Sequence, residues 1–289
     1  MNKLPANVVA WQTSGKTCII GGVEIFYRDV GGTGSDAVLF LHGFPSSSYD
    51  WHALWPLMGD EKRMVCLDFV GFGLSEKPKN HSYSLFEQAD IVEQLVKQLG
   101  IKRVKIIAHD MGTTVTCELL ARREKKLLGF AVQSVLLMNG SVHIELAHLT
   151  PSQQLLRSPL GSIFAKLSSK LIFKAQLKKI LGKPVLNNEL EAMWALMSYR
   201  QGKARLAQTI SYIEERYRFS HRWIPPLTRL DIPVLILWGQ KDPVAVAAIA
   251  EKLAQEIPTA KLQWLPQLGH YPQLEDPVVV ADAINLFLA

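Results

Sequence analysis

The chain has 289 residues, of which 48% are apolar and 20% charged, with a formal net charge of +6. This balance is typical of a soluble globular protein and excludes a disordered or fibrous chain. No apolar run is long enough to cross a bilayer, and residues 1–10 lack the apolar stretch of a secretory signal, so we expect a cytoplasmic protein. Cys18, Cys66 and Cys117 lack the spacing of metal ligands or of a disulfide framework, so we expect no metal.

Short apolar runs alternate with helical patterns along much of the chain. Runs of strand length lie at 23–27, 37–41, 63–68, 104–108, 132–138, 233–238 and 261–265. Apolar residues with helical spacing lie at 83–99, 111–123, 244–256 and 277–288. Near-continuous apolar strands that alternate with helices predict an α/β fold, with a mostly parallel sheet covered on both faces.

The segment 141–225 interrupts this alternation. Its pattern is helical, and it carries 13 Lys and Arg against 5 Glu, whereas the rest of the chain has a slight acidic excess. We therefore expect a helical cap at 141–225, inserted into a core formed by 1–140 and 226–289.

A sharp turn from strand to helix is predicted around Asp110. Ala108 and Gly112 flank it at two positions' distance, and such a turn needs small residues there because a larger side chain would collide. The turn would present Asp110 at the carboxyl edge of the sheet, which is the position of the nucleophile in a nucleophile elbow. Since Asp is also a preferred helix N-cap, the motif alone leaves two interpretations open.

Two later residues favour the nucleophile. Asp242 follows the strand 233–238 and His270 follows the strand 261–265, at the edge where open α/β sheets build their sites. Taken singly, Asp242 is also typical of a turn before proline and His270 of a surface loop. The order Asp110, Asp242, His270 is that of nucleophile, acid and base in a hydrolase triad, so together they predict a catalytic site.

The segment His42-Gly43-Phe44-Pro45 directly follows the strand 37–41. Gly43 lets the backbone turn so that the N–H of Phe44 can point at the site. With the N–H of Met111, at the start of the next helix, it would form a two-donor oxyanion hole. We expect His42 to brace this loop rather than to take part in the chemistry.

These motifs together resemble the epoxide hydrolase and haloalkane dehalogenase branch of the α/β-hydrolase superfamily. The resemblance is carried by LFLHGFP at 39–45, DFVGFGLSEKP at 68–78, HDMG at 109–112 and HYPQLEDP at 270–277. Within that branch, SSYDW at 47–51 and YSLFEQ at 83–88 are similar to the mesoderm-specific transcript protein group. The similarity covers most of the core and is weaker across the insertion.

An aspartate nucleophile is already an anion at neutral pH and can attack an sp³ carbon to form an alkyl-enzyme ester. His270, oriented by Asp242, would then activate water against that ester. We expect epoxide hydrolysis to diols, on small apolar electrophiles and without a cofactor. The resemblance makes haloalkane dehalogenation the alternative, although Phe44 and Met111 lack the side-chain donors that hold halide in dehalogenases, and Met111 also replaces the arginine of fluoroacetate dehalogenases.

The resemblance also implies cap tyrosines that protonate the opening epoxide oxygen. We expect Tyr212 in this role, with Tyr199 and Tyr217 less favoured and packing in a cap helix as the other interpretation. Trp194 is expected either to pack or to line the substrate cavity. The sequence has no tyrosine between Tyr83 and Tyr199, so the second donor is missing. His143 and His148 are weak substitutes, and a pseudo-enzyme that recognises a partner through its cap stays open.

Four lysines of the cap, Lys166, Lys170, Lys174 and Lys178, stand at four-residue spacing near Ile163, Phe164, Leu167, Leu171 and Ile180. Like charges at this spacing cost a helix roughly 0.2–0.5 kcal/mol per pair, so helix stability does not explain them. A solvated face is the simpler interpretation, and peripheral contact with an anionic membrane is the other. No motif predicts nucleic-acid binding, and the sequence leaves the oligomeric state open.

Overall fold

A computed structural model describes residues 4–59 and 61–289, so residues 1–3 and 60 of the expected core lie outside the described residues. The sheet consists of β1 (Lys16–Ile20), β2 (Val23–Val30), β3 (Asp36–Leu41), β4 (Met64–Leu67), β5 (Arg103–His109), β6 (Ala131–Met138), β7 (Val234–Gly239) and β8 (Ala260–Leu265). The strand order is β1-β2-β4-β3-β5-β6-β7-β8. Only β2 pairs antiparallel, with β1 and with β4, among the described pairs. The prediction of a mostly parallel sheet is confirmed.

The helices are distributed between the core and one long insertion. In chain order they are α1 (Ala6–Thr13), α2 (Leu85–Gln98), α3 (Met111–Glu124), α4 (Pro151–Arg157), α5 (Gly161–Leu167), α6 (Lys170–Lys178), α7 (Asn187–Ser198), α8 (Leu206–Thr209), α9 (Tyr212–Trp223), α10 (Ala247–Glu256), α11 (Pro272–Glu275) and α12 (Pro277–Leu288). Helices α4 to α9 all lie between β6 and β7, in the segment where the charge changes.

Both faces of the sheet are covered. The strand β3 shows this, since its successive side chains point to opposite sides and each side meets a different layer of helices. Leu39 and Leu41 belong to the hydrophobic cluster that includes α2, α3 and α10. Val38 and Phe40 belong to a second cluster, which includes α1 and α12. This double coverage explains why the central strands are apolar throughout.

Strand β1 and helix α1 were not predicted. Lys16, Thr17 and Ile19 of β1 are exposed, so this edge strand lacks the alternation of apolar and polar residues that marks a half-buried strand. Helix α1 buries only Val8 and Trp11. β1 depends on its pairing with β2, and α1 on its packing against the sheet, rather than on a sequence pattern of their own.

The expected stripe of four lysines is not on one helix. Lys166 belongs to α5, whereas Lys170 begins α6, and Ser169 caps α6 by accepting the N–H of Ile172. Lys170 and Lys174 both form ion pairs with Glu191 of α7. The stripe is therefore divided between two helices and partly neutralised.

A buried carboxylate joins α3 of the core to α9 of the insertion. The side chain of Glu118 is 1% exposed and accepts hydrogen bonds from Arg122, Arg222 and the indole of Trp223. Burial alone would raise the pKa of Glu118, but the hydrogen bonds from these donors outweigh it and lower the pKa.

Across residues 4–59 and 61–289, no helix has the length and apolarity to span a membrane.

Candidate active site

Asp110 lies at the turn between β5 and α3, with φ 46° and ψ −110°. This conformation is strained for a residue that has a Cβ. The turn requires Gly112, because a Cβ there would lie 2.5 Å from the carbonyl oxygen of Leu41. The Asp110 side chain makes no capping hydrogen bond to α3, so the geometry does not support the N-cap interpretation.

The Asp110 carboxylate, 3% exposed, is held by the loop after β3. The N–H of Phe44 donates to Asp110 Oδ1 at 2.7 Å. Gly43 allows this approach, since a Cβ at that position would lie 2.5 Å from Asp110 Cβ. Met111 is the first residue of α3, so its N–H has no acceptor within the helix. Both expected oxyanion donors therefore belong to segments that adjoin the Asp110 side chain.

The structure brings Asp242 and His270 to the same place. His270 Nδ1 lies 2.7 Å from Asp242 Oδ2, and His270 Nε2 lies 3.9 Å from Asp110 Oδ2. Asp242 Oδ2 also accepts from Asn139 at 2.8 Å, and its Oδ1 accepts the N–H groups of Val244 and Ala245. Four hydrogen bonds thus fix the Asp242 carboxylate, and through it the imidazole ring of His270.

The charge state of His270 follows from the two carboxylates beside it. Burial disfavours the imidazolium, but the charge and hydrogen bond of Asp242, followed by the charge of Asp110, outweigh burial and raise the pKa of His270 to about 9. An imidazolium is therefore expected at neutral pH while Asp110 is an anion. Removing the charge of Asp110 would lower this pKa.

His109, directly before Asp110, supports the backbone of His270. Its Nε2–H donates to the carbonyl oxygen of His270 at 2.6 Å, and its Nδ1 accepts from the amide of Gln273 at 3.2 Å. Burial lowers the pKa of His109 to about 4, with the charge on His270 as a further cause. A neutral ring with a single N–H satisfies both contacts, so His109 positions the loop that carries His270 without carrying a charge.

The loop that carries His270 is also bound to the insertion. His270 N–H donates to the carbonyl of Ile180, and Glu275 Oε2 accepts the N–H groups of Gly182, Lys183 and Gly269, each at 2.8 Å. One hydrogen-bonded unit is therefore formed by the segment between α6 and α7 together with the loop that carries His270.

Two buried tyrosines lie beside Phe44, whose N–H binds the Asp110 carboxylate. The ring of Tyr212, expected as a donor, is buried with its centroid 5.5 Å from that of Phe44. Tyr271, which the sequence analysis missed although it follows His270 directly, has its hydroxyl 3.5 Å from the Phe44 carbonyl oxygen. Burial raises the pKa of each hydroxyl, and the nearby Asp110 anion adds to the effect. Both tyrosines therefore stay protonated and can act as donors at neutral pH.

Arg216 of α9 is a buried cation that the sequence analysis also missed. Its guanidinium donates to the backbone carbonyl of Asp110 at 3.0 Å and to Thr114 Oγ1 at 2.8 Å. The same group lies 4.7 Å from the centroid of the Tyr212 ring, one helical turn away. Arg216 therefore fixes Tyr212 relative to the turn that carries Asp110.

A cavity of about 90 Å³ reaches His270 and Tyr271. Phe44, His270 and Tyr271 line it from the core, and mostly apolar side chains of α4, α5 and α6 line it from the insertion. Asp110 and Tyr212 are not among the lining residues but contact Phe44. The cavity is thus suited to a small, largely apolar molecule.

Trp194 lies elsewhere. It lines a separate groove with Leu4 and Tyr199, packs on Phe173 with ring centroids 5.5 Å apart, and lies under the ammonium of Lys203. The expectation that Trp194 lines the substrate cavity is therefore not met. Of the two packed rings, Phe173 lines the cavity, whereas α7 turns Trp194 into the separate groove.

The remaining candidates take other positions. Tyr199 shares the groove of Trp194, and Tyr217 is 47% exposed. His143 is buried between Glu145 and Glu256. His42 braces the loop after β3, with Nδ1–H donating to the Gly43 carbonyl and Nε2 accepting from Phe69. Within residues 4–59 and 61–289, no group of His, Cys, Asp and Glu side chains has the arrangement of a metal site.

The sharp turn at Asp110, the hydrogen-bonded pair of Asp242 and His270 and the helical insertion are those of a hydrolase. The model of the alpha/beta hydrolase fold family matches residues 36–277, and the chain belongs to that family. It is 40% identical over 279 residues to LipZ of Mycobacterium tuberculosis, with 96% of each chain covered. It is 36% identical over 292 residues to the mesoderm-specific transcript protein of Mus musculus, covering 96% of this chain and 87% of that protein. In fold it is similar to haloalkane dehalogenase DbeA of Bradyrhizobium elkani, with a TM-score of 0.81, 23% identity and 95% and 97% of the two chains covered.

Proposed function

We propose that this hydrolase acts on small apolar electrophiles through an ester between substrate and Asp110, with epoxides as the leading class. The observation that carries the proposal is the arrangement of one carboxylate. Asp110 Oδ1 accepts the Phe44 N–H at 2.7 Å, whereas Oδ2 faces the base at 3.9 Å from His270 Nε2. One oxygen is thus held as a carbonyl oxygen, and the other is available for attack.

The first step joins Asp110 to the substrate. Oδ2 attacks a ring carbon of the epoxide, the C–O bond breaks, and its electron pair goes to the departing oxygen. Tyr212 or Tyr271 donates a proton to that oxygen, which leaves a hydroxyalkyl ester on Asp110. Because both phenols are held protonated by burial, they are suited to give a proton only when a stronger base, the alkoxide, develops beside them.

The second step releases the diol. A water loses a proton to His270 and attacks Asp110 Cγ, and the N–H groups of Phe44 and Met111 hold the charge that develops on Oδ1. Collapse breaks the bond between Cγ and Oδ2, so Oδ2 leaves with the diol and the oxygen of water stays on Asp110. The carboxylic acid formed there gives its proton to the departing diol oxygen, which restores the carboxylate. The sum is epoxide plus water giving diol.

The charge of Asp110 determines the order of the two steps. As an anion it contributes to the raised pKa of His270, so the imidazole is protonated before the substrate binds. Alkylation neutralises the carboxylate and lowers that pKa, so the imidazolium gives its proton to the tyrosinate formed in the first step, and the neutral His270 can then accept a proton from water. The base therefore becomes active only once the ester exists.

Dehalogenation is the second candidate, because the chain shares its fold with haloalkane dehalogenases and the same ester would form. Epoxides are favoured by the two protonated phenols beside Phe44, and by the side chains of Phe44 and Met111, which offer halide no hydrogen bond. A pseudo-enzyme is disfavoured because four hydrogen bonds preserve the orientation of Asp242.

Turnover of a panel of epoxides, haloalkanes and p-nitrophenyl esters tests the proposal. We expect diol formation from at least one epoxide, and loss of that activity by roughly 10³-fold or more in Asp110→Asn. Asp36→Asn, at an exposed site remote from the cavity, is the matched control and should keep full activity. Ester hydrolysis that survives Asp110→Asn, without epoxide or halide turnover by the wild type, would overturn the proposal.

A further inference from the structure

The outer sides of α5 and α6 expose an unusual concentration of large apolar side chains. Ile163 is 58% exposed, Leu167 74% and Leu171 79%, with Leu160 and Ile172 beside them in sequence. We call these five residues the α5–α6 ridge. Single exposed leucines are ordinary on protein surfaces, but a run of five within 13 residues is typical of an interaction surface.

The ridge lies in a segment that carries only one sign of charge. No Asp or Glu occurs between Glu145 and Glu189, whereas seven Lys and Arg do. Four of the seven are paired with acidic residues from other segments. Lys166, Lys178 and Lys179 have no ion-pair partner in the described part of the chain, and all three are exposed. Apolar residues bordered by unpaired lysines fit an apolar layer covered by anionic groups.

The same two helices form a wall of the cavity. Phe164 and Ala165 of α5 and Phe173 of α6 line it, one or two positions along the helix from ridge residues, and Leu177 lines it one turn beyond Phe173. A surface that contacts the outer sides of α5 and α6 therefore lies one helix thickness from the cavity. This arrangement would bring an apolar molecule dissolved in that surface close to His270 and Phe44.

We propose that the α5–α6 ridge docks this protein peripherally on a lipid surface that carries anionic head groups, with Lys166, Lys178 and Lys179 at the head-group level. A second copy of the chain fits the ridge less well, because a symmetric pair would place the unpaired lysines of both copies at one interface. The docking is independent of the chemistry at Asp110. That the cavity receives apolar substrate from this surface rests on the proposed function.

Flotation of the full-length protein with vesicles tests the docking. Vesicles of phosphatidylcholine alone are compared with vesicles containing 30% phosphatidylserine, a composition chosen to vary only the head-group charge. We expect at least tenfold stronger partitioning to the anionic vesicles. The double variant Leu167→Ser/Leu171→Ser should lower partitioning by roughly tenfold or more, because two exposed leucines no longer enter the apolar layer.

Matched variants separate the ridge from general surface effects. Leu127→Ser/Leu286→Ser changes two leucines that are 66% and 80% exposed outside the ridge, and should keep wild-type partitioning. Lys166→Gln/Lys178→Gln/Lys179→Gln should remove the preference for anionic vesicles. Circular dichroism of each variant establishes that the fold is intact.

Two outcomes would overturn the docking proposal. One is equal, weak partitioning of the wild type to both vesicle types. The other is a wild-type dimer in multi-angle light scattering that Leu167→Ser/Leu171→Ser converts to a monomer without changing vesicle binding, since the ridge would then join two copies. Asp110→Asn should bind vesicles like the wild type, so a failure of the proposed chemistry leaves this test unaffected.

Discussion

His270 Nε2 lies 3.9 Å from Asp110 Oδ2, while the other nitrogen of the ring is bonded to Asp242 at 2.7 Å. The imidazole thus stands between two carboxylates, and both contribute to the raised pKa of about 9. Because one of them is also the expected nucleophile, the chemistry at Asp110 changes the proton affinity of the base.

The pKa of His270 should fall when either carboxylate is neutralised. We expect Asp242→Asn to lower it further than Asp110→Asn, since Asp242 supplies both the larger charge effect and a hydrogen bond. Titration of the imidazole nitrogens by NMR measures both values. An unchanged pKa in Asp110→Asn would contradict the coupling between nucleophile and base.

The stability of the protein should depend on pH through His270. Its folded pKa of about 9 lies above the ordinary value of 6.5, so the stabilisation from this ring is complete below pH 6.5 and is lost as the pH rises through 9. His270→Gln lacks this contribution. The free energy of unfolding in urea should therefore decline more steeply between these pH values in the wild type than in the variant, and parallel curves would argue against a protonated His270.

Gly43→Ala should damage the site more than the fold. The added methyl would lie 2.5 Å from Asp110 Cβ and displace the loop that carries the Phe44 N–H. We expect kcat to fall by roughly 10²-fold, the usual cost of losing one oxyanion donor. Gly34→Ala is the control, because its nearest contact would be 4.0 Å away. Wild-type kcat in Gly43→Ala would exclude this loop from the oxyanion hole.

The two tyrosines should share the protonation of the leaving oxygen. Tyr212→Phe and Tyr271→Phe are each expected to slow ester formation from an epoxide by roughly 10-fold to 10²-fold, and the double variant by more. A haloalkane needs no proton for its leaving group, so its rate should change little. Single-turnover kinetics with both substrate types measures this difference, and equal losses on both would assign the tyrosines to packing.

Glu118→Gln should loosen the insertion from the core. The side chain is 1% exposed and its arginine partners are only partly buried, so we expect a loss of roughly 2–3 kcal/mol in urea unfolding. Asp36→Asn, which removes an exposed ion pair, should cost less than about 1 kcal/mol. Similar losses for the two variants would mean that the buried carboxylate does not join α3 to α9.

The sequence predicted the fold and the positions of Asp110, Asp242 and His270 because these depend on local patterns. Continuous apolar strands mark a parallel sheet, and residues directly after such strands must lie at its carboxyl edge. The chain order of the three residues then supplied a role for each.

The rest depends on contacts between segments distant in sequence. The contacts of Arg216 with Asp110 and Thr114 exist only once α9 packs on the turn at Asp110, so its sequence neighbours do not reveal its position. Tyr271 follows His270 directly, but its contact with Phe44 is equally distant in sequence. Trp194 was expected at the cavity because helical spacing does not reveal which side of α7 faces the core. Ser168 and Ser169 end one helix and begin another, which a lysine spacing of four obscured.

Single-turnover mass spectrometry of His270→Gln tests the role of Asp110 most directly. Without the base the ester should form but not hydrolyse, so an epoxide or haloalkane from the panel should add its mass to the peptide that contains Asp110. The double variant His270→Gln/Asp110→Asn should stay unlabelled. If no member of the panel labels Asp110 in His270→Gln while the wild type hydrolyses esters, a carboxylate nucleophile is contradicted.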